Sequence, residues 1–240
     1  MTNWLVELIC NDRELLSFLV EDQQVPAYTF IRREGNYYLS SPDFDKLPTV
    51  EEVELHADGL LFYLNGLIKQ QFMTNGDLTR TGTVVDITNP THPITKVTKN
   101  SMGRVGVRLD FHEAASAQKP NFTEKKLIAS KDEEVRDALR YYANPINWFN
   151  LYKMFEVIGN DAKNNGWSLS WLKNSKAEDF AYSANSFHVS KYDARHFRLK
   201  YPKASSKRTP MTLSDAKKYI DDLFNEWLSN KVKQHLSTSS

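Results

Sequence analysis

The chain has 240 residues, 40% of them hydrophobic and 12% aromatic, with 31 Lys and Arg against 30 Asp and Glu. That is enough apolar material to pack one large domain or two modest ones, and too much for general disorder. No stretch approaches the roughly 18 consecutive apolar residues of a membrane span, and a single cysteine, Cys10, excludes an intrachain disulfide.

Met1-Thr2-Asn3-Trp4 carries neither a basic leader nor a cleavage site, and thiol chemistry of this kind fits a reducing compartment. The expectation is a cytoplasmic protein with no membrane partner. The net charge of +1 conceals a division. Residues 1–115 carry 10 cations against 16 anions, and residues 116–240 carry 21 against 14. Such asymmetry points to a basic surface for an anionic partner, or to attraction between the halves.

The first element is Trp4–Ile9, short, apolar and partly alternating, as in a half-buried strand. Asn11-x-x-Glu14 then marks a helix start ahead of Leu15, Leu16, Phe18 and Leu19. Tyr28 to Arg32 and Tyr37 to Ser41 read as a hairpin closed by Arg33-Glu34-Gly35-Asn36, where Gly and Asn tolerate positive φ. Thr49-x-x-Glu52 is a capping box, and Val53, Ala57, Leu60, Leu61, Leu64, Ile68 and Phe72 follow helical spacing after it. Asn75-Gly76 closes that helix.

Strands are expected at 81–88 and 103–111, with a turn at 89–93 between them. The order β-α-β-β-α-β plus one strand is compatible with a ferredoxin-like α+β domain over residues 1–113. Neither GxGxxG nor GxxxxGK[ST] occurs, so no phosphate loop is expected.

Residues 114–129 shift to Ala, Ser, Lys and Asn with Pro120 and read as a linker. A helical domain is expected over 130–240. Ser130-x-x-Glu133 opens its first helix, which Asn144-Pro145 ends. In the second, Trp148, Leu151, Tyr152, Phe155 and Ile158 form the apolar stripe, with Lys153 and Glu156 as a surface pair. The third runs from Lys176 to Ser186. Thr212-x-x-Asp215 caps the last, whose buried face is Leu213, Ala216, Ile220, Leu223, Phe224, Trp227 and Leu228. Four such helices predict a four-helix-bundle-like domain.

Chemistry concentrates between the third and fourth helices. Residues 191–208 hold seven cations, Lys191, Arg195, Arg198, Lys200, Lys203, Lys207 and Arg208, against one acid, Asp193. Tyr192, Phe197 and Tyr201 interleave with them. Cations displace counterions from a phosphate backbone and aromatic rings stack on bases, so RNA or DNA is the expected partner, with Asn185 joining the cations at the site.

His188 and His196 beside Arg195 have the residue types for general acid–base RNA cleavage. The competing reading has Arg195 and Asn185 fastening the loop, Asn185 as a helix C-terminal cap. The histidines show no metal-ligand spacing, and neither a metal nor a cofactor is expected. A noncatalytic protein-interaction or regulatory module, and a small-molecule sensor, are the alternatives.

Trp148-x-x-Leu151-Tyr152-Lys153-x-x-Glu156, Ala184-Asn185, Ala194-Arg195-His196 and Pro210-Met211-Thr212-Leu213-x-x-Ala216 with Trp227 resemble a widespread group of uncharacterised bacterial proteins. The start, Trp4-Leu5-Val6-Glu7-Leu8, is similar to the same group. That resemblance implies no activity. Asn185 and His188 also partly resemble the motif of HEPN domains, helical ribonucleases of toxin and phage-defence systems. In this chain the position of the HEPN arginine is held by Ser183 or Ala184. The resemblance implies an RNase or antiviral defence effector.

Overall fold

A computed structural model describes residues 4–22, 25–72, 76–88, 121–191, 194 and 208–238. The chain is α+β and divides into two compact units, Met1–Ala114 and Ala115–Ser240. The strand expected at 103–111 and the turn at 89–93 lie outside the described residues, as does Asn75.

In the first unit β1 (Trp4–Ile9), β2 (Thr29–Arg33), β3 (Asn36–Ser40) and β4 (Thr79–Asp86) form an antiparallel sheet in the order β2-β3-β1-β4. Helix α1 (Arg13–Glu21) joins β1 to β2, and α2 (Val50–Phe72) joins β3 to β4. Alternation dictates which side chains meet the helices. Val6 opposes Leu39 on one side and Val84 on the other, and all three are buried. Against them α1 sets Leu15 and Leu19, and α2 sets Val53, Ala57, Leu64 and Leu67. Helix α1 packs on β2, and α2 packs on β1 and β4.

Two local expectations shift. Helix α1 is capped by Asp12 rather than Asn11, with Asp12 Oδ1 accepting from Leu15 N at 3.0 Å. The hairpin's positive-φ residues are Glu34 (φ 52°) and Gly35 (φ 84°), not Asn36, which already pairs with Arg33. Positive φ at both central positions is the type I′ hairpin turn, whose twist matches the flanking strands. Thr49 caps α2, Glu52 N donating to Thr49 Oγ1 at 3.3 Å and the Thr49 hydroxyl in turn donating to Glu52 Oε2 at 3.1 Å.

The second unit is helical. Its elements are α3 (Phe122–Lys131), α4 (Glu133–Ala143), α5 (Trp148–Asn164), α6 (Ser170–Lys173), α7 (Ser175–Asn185), α8 (Phe187–Ser190) and α9 (Leu213–Thr238). Helix α3 occupies residues assigned to a linker. A full capping box starts it, Glu124 N donating to Asn121 Oδ1 and Asn121 N to Glu124 Oε2. Its apolar residues follow no single stripe, so periodicity did not reveal it.

Asp132 rather than Ser130 opens α4, accepting from Val135 N at 3.0 Å. Helix α5 ends at a Schellman turn. Gly166 (φ 68°) donates to Lys163 O, and Trp167 N reaches back to Ala162 O at 2.8 Å.

Helix α9 is the hub of this unit. Helices α3, α5 and α6 pack on it, and from Tyr219 to Lys231 no residue is exposed. A surface helix leaves one face to water. Over those residues the outward positions, Asp222, Glu226, Ser229 and Asn230, are still half-buried.

Candidate nucleic-acid interface

Asn174 starts α7 by accepting from Ala177 N at 3.1 Å, and Ala177, Phe180 and Ala184 form its buried face. That register turns Asp179, Ser183 and Ser186 toward the chain on either side of the basic segment. Ser183 Oγ donates to Asp179 O at 2.7 Å and accepts from Met211 N at 2.8 Å. Thr209 N donates to Asp179 Oδ1 at 3.0 Å, and Arg208 pairs with Glu178. On the other flank Ser190 Oγ lies 3.0 Å from both Ser183 O and Ser186 O and shares its proton between them. Lys191 follows in the left-handed region (φ 53°), exposed. The residues on both flanks of the basic segment are therefore tied to α7 or to Ser186, which follows it.

The expected site residues separate. Asn185 is buried, and its Nδ2 donates to Ala181 O at 2.7 Å, one turn back on α7, whose C-cap is Ser186. Its Oδ1, like Ser186 Oγ beside it, meets no partner among the described residues. His188 and Lys191 are exposed. Arg208 is spent in part on Glu178. Arg195, His196, Arg198, Lys200, Lys203 and Lys207 lie outside the described residues. Lys153 and Glu156 form the surface pair anticipated for them, at 3.1 Å.

A polar cluster that the sequence reading missed lies inside the helical unit. Lys231 Nζ sits 2.8 Å from both Asp132 Oδ2 and Asp161 Oδ1, and lies over the rings of Trp167 and Trp227. Asp161 also accepts from Trp227 Nε1 at 2.6 Å and from Asn165 Nδ2 at 3.1 Å. Burial works against the ammonium of Lys231, but the two carboxylates outweigh it and hold its pKa above the ordinary value. The signal was present. Asp161 falls three residues after Ile158 on the buried face of α5, and Lys231 four after Trp227 on that of α9. Opposite charges on two apolar stripes are economical only if they meet.

Nearby, Tyr142 OH donates to Asp221 Oδ1 at 2.7 Å, and Lys217 Nζ donates to Asp221 Oδ2 at 2.7 Å. Burial, then the Asp221 charge, pushes the Tyr142 phenol well above its usual range. A phenol held neutral in this way is a structural donor and a poor nucleophile.

In the first unit a groove of about 710 Å³ runs between α2 and β4, lined by Leu55, Phe62, Leu78, Asp58, Asn65 and Arg80 among others. Its polar groups are already matched. Arg80 Nε and Nη2 donate to the two oxygens of Asp58 at 2.7 and 2.9 Å, and Nη1 to Glu54 at 2.9 Å. Asn65 exchanges both amide bonds with the main chain of Leu78. Cys10 is buried, and burial raises its thiol pKa, which disfavours a nucleophilic thiolate.

Among the described residues no group of His, Cys, Asp and Glu is arranged to hold a metal, and no helix is long and apolar enough to cross a membrane. No family model matches the chain, and no curated protein or solved structure shows significant similarity to it.

Proposed function

We propose that this chain is a noncatalytic binding protein that contacts nucleic acid through its basic segment, residues 191–208. The observation that carries the reading is the double anchorage on α7: Ser190 to Ser183 and Ser186 on one flank, Thr209 and Met211 to Asp179 and Ser183 on the other. A run of seven cations whose two ends are fastened to one helix is a concentrated source of positive potential. Asn185, buried and turned back onto its own helix through Ala181 O, supports an architectural role for the corner and counts against a cleavage centre built on it.

The strand order, with one helix crossing in each half, supports a ferredoxin-like reading of the first unit. Helices α4, α5, α7 and α9 support a four-helix reading of the second, elaborated by three shorter ones. Cleavage of the HEPN type, and with it a part in phage defence, is the catalytic form of the same proposal.

The test is fluorescence anisotropy with labelled single-stranded RNA and DNA across a salt series. Single-strand affinity falls with a log–log slope of roughly −0.7 per phosphate contacted, so full use of seven cations gives about −5. Charge reversal at Lys203 and Lys207 should flatten that slope. Absence of binding to either strand at roughly 50 mM salt, where such contacts are strong, overturns the proposal. Intact RNA after long incubation supports the noncatalytic form. Cutting that Arg195→Ala with His196→Ala abolishes replaces it with the catalytic one.

A further inference from the structure

We draw no further inference here: the strongest candidate, the groove between α2 and β4 with its exposed Leu55 and Phe62, carries nothing because nothing in the structure shows what covers it.

Discussion

Replacing Lys231 with methionine keeps most of the side chain's length and its packing on Trp167 and Trp227, and removes only the ammonium between Asp132 and Asp161. The two carboxylates then differ in fate. Asp132 has a side chain 24% exposed and can rehydrate, whereas Asp161, at 6%, keeps only Trp227 Nε1 and Asn165 to offset its charge. Removing one partner of a buried ion pair costs about 3–5 kcal/mol, nearly all of it the stranded charge. Four of the five tryptophans belong to the helical unit, so urea unfolding followed by tryptophan fluorescence reports on that unit.

The reasoning makes a second demand. If the cost is the stranded carboxylate, Asp161→Asn added to Lys231→Met should recover on the order of 1 kcal/mol or more, since contacting residues couple by that amount. A Lys231→Met variant within about 1 kcal/mol of the parent, below the range for a broken buried pair, would refute the argument. So would a double variant weaker than the single one.

Alkaline titration should destabilise the same unit. Lys231 gains two carboxylates on folding, and Tyr142 and Tyr219 are kept protonated chiefly by burial, so all three pKa values rise on folding. Their contribution is complete below the unfolded values, near pH 10, and is lost as pH climbs toward the folded ones; chemical denaturation midpoints between pH 8 and 11 check this. Asn185→Ala loses the bond to Ala181 O but also removes a buried carbonyl with no described partner, so it should cost at most about 1 kcal/mol and leave nucleic-acid affinity unchanged in the anisotropy assay. Ser183→Ala deletes the acceptor for Met211 N at a cost of about 1 kcal/mol, and should speed amide hydrogen exchange at Met211 while leaving α5 protected. Gly82, at φ 90° beside the register shift between β1 and β4, should resist substitution. Alanine there costs about 1–2 kcal/mol, read as a lower melting temperature.

Elements whose apolar residues sit on one face were legible. Helices α2, α5 and α9 announce themselves by spacing, and the Thr49 and Thr212 caps mark the starts of α2 and α9 where expected. Helix α3 was hidden because it buries Lys125 and Lys126 along with Phe122 and Ile128, so its composition resembles a linker. Helices α6 and α8 are four residues each, barely one turn, which is too short for a pattern to recur.

The Lys231 cluster was overlooked for a related reason. A lone charge on an apolar stripe is read as noise until the second stripe that faces it is known. At the candidate interface, charge counting found the segment but could not distinguish an Asn185 turned back onto its own helix from an Asn185 facing a ligand. That distinction depends on one hydrogen bond to Ala181, four residues back on its own helix.

The central position of α9 bears on how the protein is made. Helices α3, α5 and α6 emerge from the ribosome before the helix they pack on, at roughly 5–20 residues per second. Until residues 219–231 have followed, the faces that will enclose Phe224 and Trp227 have nothing to close upon. For several seconds of each round of synthesis the surfaces of α3, α5 and α6 that will meet α9 stay uncovered. Chaperone demand, sensitivity to premature stops and susceptibility to proteases should all concentrate in that interval.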